Sequence, residues 1–199
     1  MKLIYKGKYD SEEKLPVREH PKGYVPFREA KDMRKLALLM NALCIPLVVL
    51  AVMGLILRGL PYLSDGLLQV YLGVVVSLLM LFPHELLHAI CFKGEVELWT
   101  NLKMGMLFVV GTEDMSKARF VFLSLLPNLV FGWIPYLLFL LHPQWVFLGA
   151  LGAMGIPMGI GDYYNVYNCL TQVPKGALVY MSGMHSYWYL PKEGTDGEG

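Results

Sequence analysis

The sequence predicts an all-α polytopic membrane protein, with four transmembrane helices and a short cytoplasmic-side β-hairpin between the second and the third. The chain has 199 residues, of which 55% are hydrophobic and only 17% are charged, whereas about 25% of a soluble domain is charged. No Asp, Glu, Lys or Arg occurs in the 22 residues between Lys35 and Arg58, or in the 42 residues between Arg119 and Asp162. Because a membrane span needs about 20 apolar residues, both runs have room for transmembrane helices.

The predicted elements follow from these apolar runs and from the breaks between them. Residues 1–35 form a polar cytoplasmic tail, in which three prolines disfavour a long helix. A membrane domain at residues 36–170 follows, and residues 171–199 form a cytoplasmic C-terminal tail. The predicted spans are residues 36–57, 66–92, 120–141 and 144–170. Arg58, Gly59 and Pro61 are expected to form the loop after the first span, and His142-Pro143 the turn before the fourth.

The loop between the second and third spans contains two β-prone runs. Residues 95–99 roughly alternate between polar and apolar, residues 101–105 offer a turn, and residues 106–110 are apolar. This pattern predicts a β-hairpin at residues 95–112. The alternative is an irregular loop whose apolar side chains rest on the lipid surface.

The distribution of basic residues sets the expected orientation. With four spans, both tails and the central loop lie on one side, and that side carries 16 of the 17 Lys and Arg residues. Cytoplasmic loops hold such an excess, so the sequence predicts a multi-pass plasma-membrane protein with both termini in the cytoplasm. The net charge of +1 gives no indication of a nucleic-acid partner, and the sequence does not define an oligomeric state.

A metal-binding motif lies inside the second predicted span. His84-Glu85-Leu86-Leu87-His88 matches HExxH, which places two imidazoles one turn apart on one face of a helix. Such a pair can bind Zn²⁺, with the glutamate between them as the general base. Ionisable side chains are costly in a bilayer and need a partner, so a metal is favoured over a pair of histidines that are merely hydrogen-bonded to neighbours.

Asp162 is the candidate third zinc ligand. A catalytic zinc site has three protein ligands and an open position, and Asp162 is the only charged residue between Arg119 and Lys175. Its predicted depth in the membrane matches that of the histidines. The GxxxG pair Gly155 and Gly159 would allow close helix packing and bring Asp162 to the metal. The alternative is an acid at a helix end, near the membrane interface.

Two amides and one thiol are further candidates. Asn128, in the third span, could orient a substrate backbone or stabilise an oxyanion, or it could make an interhelical hydrogen bond without a catalytic role. Asn165, one turn after Asp162, could support a zinc ligand or lie in the interface. Cys91 shares the stripe of the histidines and could be a ligand, although a buried free thiol is the more typical role.

The motifs together resemble the site-2-protease class of intramembrane zinc peptidases. The segments concerned are HELLH at 84–88, LLPN at 125–128 and GDYYNVYN at 161–168. The resemblance implies zinc ligation by His84, His88 and Asp162, and a central hairpin that pairs with an extended substrate strand. The chain departs from that class in having Tyr163 after the aspartate, where the class has glycine.

Gly161-Asp162, the PKGALV segment at 174–179 and Ser182-Gly183 resemble more closely a family of small prokaryotic membrane proteins, the "putative zincin peptidases". The sequence thus predicts an intramembrane zinc metalloendopeptidase that cleaves membrane-anchored proteins near the cytoplasmic leaflet of the bilayer. Zn²⁺ is the expected cofactor, and Glu85 is the expected catalytic base. The alternative function is a non-catalytic zinc-binding membrane protein, such as a sensor or a degenerate protease.

Overall fold

Helices and strands both build this protein. The computed structural model describes residues 1–29, 33–101 and 106–191. The strands are β1 (Lys2–Lys8), β2 (Val25–Pro26), β3 (Glu95–Asn101), β4 (Met106–Val110), β5 (Met115–Ser116), β6 (Leu178–Ser182) and β7 (His185–Tyr189). The helices are α1 (Met33–Leu79), α2 (Leu81–Ile90), α3 (Lys117–Asn128), α4 (Ile134–Leu141), α5 (Val146–Met158) and α6 (Ile160–Gln172).

The chain divides into two compact units, which we call the sheet unit and the helical unit. The sheet unit combines Met1–Glu29, Phe92–Val121 and the C-terminal residues from Tyr167. The helical unit contains the residues between Glu29 and Phe92, together with Phe122–Val166.

The described residues of the sheet unit form two small sheets. One has the order β1-β3-β4, with β1 parallel to β3 and β3 antiparallel to β4. The other has the order β2-β7-β6-β5 and is antiparallel. Leu15, Trp99 and Val110 form a buried core in this unit. The turn between β6 and β7 contains Gly183 at φ 62°, a left-handed conformation that favours glycine in tight hairpins.

The prediction of an all-α protein is therefore wrong, and the reason is the pairing of distant segments. Both predicted tails supply strands: β1 and β2 come from the N-terminal segment, and β6 and β7 come from the C-terminal segment. A parallel pair such as β1 and β3 needs a long crossover connection, and here the connection contains α1 and α2. Local sequence patterns in a polar tail do not reveal a partner strand about ninety residues away. β3 and β4 pair where the sequence analysis places a hairpin.

The prediction of four transmembrane helices is also wrong. Among the described residues, two helical stretches are long and apolar enough to cross a membrane, Leu38–Leu79 and Lys117–Leu141. The pair Val146–Met158 and Ile160–Gln172, bent by 51°, would make a third if it counts as one span. The loop expected at Arg58, Gly59 and Pro61 is helical, because α1 continues through all three residues. These findings are consistent with a membrane protein.

Helix α1 is bent rather than straight. A Cβ atom at Gly149 would lie 2.7 Å from Leu55 Cδ1, and a Cβ atom at Gly73 would lie 2.7 Å from Ala150 Cβ. In a straight helix, Leu55 and Gly73 would be about 27 Å apart, yet they approach adjacent residues of α5. The helix therefore bends between these positions, where it contains Pro61, a common cause of kinks.

The core of the helical unit lies between α1, α4 and α5. Its buried members include Leu55, Tyr136, Phe139 and Ala150, and the Tyr136 hydroxyl donates to the carbonyl of Ala51 at 2.7 Å. Many apolar side chains of α1 stay exposed instead, for example Leu38 at 70%. An exposed apolar helix surface of this extent suits a lipid environment.

Candidate metal centre

The HExxH motif lies on the short helix α2. The helical run is interrupted at Met80, whose N–H donates to the carbonyls of Val76 and Ser77, and His84 N–H then donates to Met80 O at 2.8 Å. Pro83 falls in the first turn of α2, where its missing N–H would have no partner within the helix anyway. The proline therefore fits the first turn of α2 and does not break that helix.

The two histidines of α2 face one another and one carboxylate. Their ring centroids are 4.9 Å apart. His84 Nε2 lies 3.1 Å from Asp162 Oδ2, and His88 Nε2 lies 3.3 Å from Asp162 Oδ1. Asp162 lies in the first turn of α6, so residues 78 positions apart in the sequence meet at one point.

These distances fit zinc ligation. Four ligands about 2.0–2.1 Å from a tetrahedral zinc ion are separated from each other by roughly 3.3–3.4 Å, close to the two measured nitrogen–oxygen distances. Nitrogen and oxygen are also the donor atoms that zinc prefers. The ligand atoms of His84, Glu85 and His88 lie within 4.8 Å of one another, so the glutamate lies beside the two histidines. The residues present therefore fit a zinc ion.

The second nitrogen of His88 has its own partner. Nδ1 lies 2.9 Å from the carbonyl oxygen of Leu123 on α3, and because a carbonyl can only accept, Nδ1 carries the proton. The lone pair of the neutral ring is then on Nε2, which faces Asp162. Metal-binding histidines commonly have such a backbone partner, which fixes the tautomer and the ring orientation.

Asn128 holds the carboxylate of Asp162. Its Nδ2 donates to Asp162 Oδ2 at 2.7 Å and to the carbonyl of Ser124 at 3.2 Å. Asn128 is the last residue of α3, and a π-helical turn, Leu129–Trp133, follows it. Such turns are frequent at functional sites. The sequence left two roles open for Asn128. The structure shows the interhelical hydrogen bond, which joins Asn128 of α3 to Asp162, the third candidate ligand, on α6.

Small residues allow α5 to approach the π-helical turn and its neighbours closely. A Cβ atom at Gly152 would meet Tyr136, one at Gly155 would meet the backbone of Phe131, and one at Gly159 would overlap the amide of Asn128. The three glycines thus face successive turns of the helical segment that runs from the end of α3 through the π-helical turn into α4. The GxxxG pair Gly155 and Gly159 lies on this contact, as close packing between membrane helices requires.

The remaining candidates, Asn165 and Cys91, each lie three residues from a candidate ligand in the sequence, but they differ in their contacts. The side chain of Asn165 is half-buried and has no hydrogen-bond partner among the residues that the structure describes. The thiol of Cys91 donates to the carbonyl of Leu87 at 3.4 Å, as a structural thiol would. Ser77, on the same stripe, is 1% exposed and donates to Val74 O at 2.7 Å.

A small cavity of about 10 Å³ adjoins His84 and is lined also by Ser77, Phe131, Gly155 and Met158, among others. That volume accommodates about one water molecule. The side chains of His84 and Asp162 are each 16% exposed. The centre is thus shielded from bulk solvent while it keeps some space beside the histidine.

Sequence reasoning missed the partners that act through the backbone. The carbonyl of Leu123 holds His88, and the carbonyl of Ser124 holds Asn128, but any residue type supplies a carbonyl. In the sequence, Gly152 does not stand out from the other glycines of this segment. The spacing of Gly152, Gly155 and Gly159, three and then four residues, could have identified one helix face.

One comparison with known proteins gives a match. The model of a family described as "putative zincin peptidase" matches residues 77–178, which is half of the chain. The matched segment includes α2, Asn128 and Asp162. Comparisons with curated proteins and with solved structures give no match.

Proposed function

Because the chain belongs to the putative zincin peptidase family, we propose that it is an intramembrane zinc metalloendopeptidase that cleaves membrane-anchored proteins near the cytoplasmic leaflet. Membership suggests a zinc-dependent metallopeptidase. One observation carries the proposal further: Nε2 of His84 and Nε2 of His88 lie 3.1 and 3.3 Å from the two oxygens of Asp162. Glu85, the proposed general base, clusters with the two histidines.

In the proposed reaction His84, His88 and Asp162 hold the zinc ion. A bound zinc ion would supply Lewis acidity, which would polarise the scissile carbonyl and lower the pKa of the attacking water. The Glu85 carboxylate takes a proton from that water and passes it to the nitrogen of the leaving amine. His88 keeps its proton on Nδ1, where the Leu123 carbonyl accepts it, so the ring presents only its Nε2 lone pair to the metal.

The membrane location is supported by the exposed apolar surface of α1 and by two stretches long enough to span a bilayer. The N-terminal, central and C-terminal segments share one sheet unit, since β1 pairs with β3, β2 with β7 and β5 with β6. Paired strands cannot lie on opposite sides of a bilayer. With 13 of the 17 basic residues in the three segments of the sheet unit, we assign this side, and both termini, to the cytoplasm.

Glu85→Gln tests the proposal. The full-length protein is reconstituted in liposomes with single-span reporter proteins, and cleavage products and bound zinc are both measured. We expect Glu85→Gln to retain zinc and to cleave about 10²–10⁴-fold more slowly, because it loses the base but keeps the shape of the side chain.

Glu95→Gln is the matched control, because Glu95 is an exposed acid that pairs with Lys2 on the sheet unit, and it should cleave at the wild-type rate. Unchanged cleavage by Glu85→Gln would refute the mechanism. Stoichiometric zinc without hydrolysis of any reporter by the wild type would instead support a non-catalytic zinc protein.

A further inference from the structure

Asn128 has an unusual combination of contacts. Its side chain is 1% exposed, its Nδ2 donates to Asp162 Oδ2 and to Ser124 O, and its Oδ1 is buried without a hydrogen-bond partner among the described residues. A buried acceptor without a partner is unfavourable, and such groups are rare in folded proteins. An asparagine kept in this position calls for an explanation beyond helix packing.

The orientation of the amide follows from its neighbours. If the amide were flipped, its oxygen would face Asp162 Oδ2 and Ser124 O, both of which are acceptors. Only the observed orientation gives two donated hydrogen bonds. The donor to Asp162 is thus fixed in place, and it contacts Oδ2, the oxygen that also faces His84. The other oxygen, Oδ1, faces His88.

Gly159 makes room for this arrangement. The three atoms nearest to a Cβ built at Gly159 are Oδ1, Cγ and Nδ2 of Asn128, the last at 2.7 Å. Any side chain at this position would displace the amide. Gly159 also separates α5 from α6, which are bent by 51° relative to each other, so the residue that admits Asn128 also begins the turn towards Asp162.

We propose that Asn128 is a positioning residue, which fixes the rotation of the Asp162 carboxylate so that it can serve as the third zinc ligand, and that Gly159 is required because it leaves space for the Asn128 amide. This inference rests on the proposed function, since it assumes that Asp162 binds zinc. Asn128 acts through Asp162 and touches neither the metal nor the substrate. Both N–H groups of the Asn128 amide are already used in these two hydrogen bonds. No donor is therefore left for the stabilisation of an oxyanion, the other role that the sequence suggested.

The test measures zinc affinity, which a merely structural role would not change. Zinc dissociation constants are determined for full-length wild type, Asn128→Ala and Asn128→Asp in detergent micelles by chelator competition, and Co²⁺ absorption spectra report the ligand geometry. Loss of a residue that orients a metal ligand typically weakens affinity 10–100-fold. We expect a loss of this size in both variants, with an altered Co²⁺ spectrum.

Two controls make the result specific. Asn168→Ala removes another buried asparagine, whose Oδ1 accepts from Gln172 Nε2, and should leave zinc affinity unchanged. Asn128→Asp is isosteric, so it still reports on the missing donor if Asn128→Ala fails to fold. Zinc affinity within twofold of wild type in the folded variants would overturn the proposal.

A double-substitution cycle tests the role of Gly159. Gly159→Ala alone should weaken zinc binding as much as Asn128→Ala, and the double variant should bind no worse than either single variant, because the displaced amide is already gone. Additive losses would refute the assigned role of Gly159. If the wild type itself bound no zinc, the proposed function would fail, whereas a zinc-binding, active wild type with unaffected Asn128 variants would refute only the positioning role.

Discussion

Gly152→Ala tests whether the close approach of α5 to the π-helical turn and α4 stabilises the helical unit. A Cβ at this position would lie 2.6 Å from Tyr136 N and Tyr136 Cβ, and 2.7 Å from Gly132 O. Carbon atoms in good contact are about 3.5–4.0 Å apart, so the helices must separate by roughly 1 Å. All three obstructing atoms belong to the backbone or lie next to it, and none can rotate away.

The expected cost of this separation is about 1–3 kcal/mol, the usual range for overpacking. Packing contributes most of the association between helices in a membrane, so little else can compensate. Replacing a helical glycine by alanine also brings a gain of up to about 1 kcal/mol. Gly161→Ala is the matched control, because Gly161 lies in α6 and a Cβ there would meet nothing within 4 Å.

Both variants are measured in detergent micelles by titration with a denaturing detergent, followed by circular dichroism. Because each substitution carries a propensity gain of at most about 1 kcal/mol, a lower stability of Gly152→Ala reports the packing term. We expect Gly152→Ala to be less stable than Gly161→Ala by about 1–3 kcal/mol. Equal stability of the two variants would refute the packing argument.

Three further predictions concern the sheet unit and the metal. Leu15→Ala, at a core residue 3% exposed, should destabilise the protein by about 2–5 kcal/mol, whereas Val17→Ala, at 72% exposure, should change stability by no more than about 0.5 kcal/mol in thermal unfolding. Burial raises the pKa of the Glu113 carboxyl, but hydrogen bonds from the N–H groups of Lys93 and Gly94, with a nearby guanidinium, outweigh burial and hold the pKa below its usual value. Stability from this carboxylate should be present at neutral pH and lost on acidification below about pH 4.5, and Glu113→Gln should flatten that part of a stability-against-pH curve. Removing zinc with a chelator should lower the melting temperature, and zinc at one hundred times its dissociation constant should restore about 2.7 kcal/mol.

The candidate site residues could be identified from the sequence because they are rare residue types in apolar surroundings. HExxH is a local pattern, and one helical turn is enough to place His84 beside His88. Asp162 is prominent because no other charge occurs between Arg119 and Lys175. In the structure, Nε2 of His84 and Nε2 of His88 lie 3.1 and 3.3 Å from the two oxygens of Asp162.

The architecture around the site could not be predicted in the same way. Counting apolar residues gave separate spans before and after Arg58, although the helix continues there and the Arg58 side chain donates to the carbonyl of Leu140. The strands of the two tails were missed because their stability comes from non-local pairing, such as β1 with β3. A short polar strand has little signal of its own, since strand preference depends on its neighbours in the sheet.

The proposed metal centre would depend on residues that contribute no ligand. Helix α5 supplies no proposed ligand, yet Gly155 faces the π-helical turn, Gly159 faces Asn128 at the end of α3, and Asn128 holds Asp162. A zinc site needs its ligands placed to within about 0.5 Å, and the separation enforced by an added methyl group at Gly152 is larger than that. Substitutions that push α5 from α3 should therefore lower zinc affinity even where the protein stays folded, because the carboxylate moves with the amide that holds it.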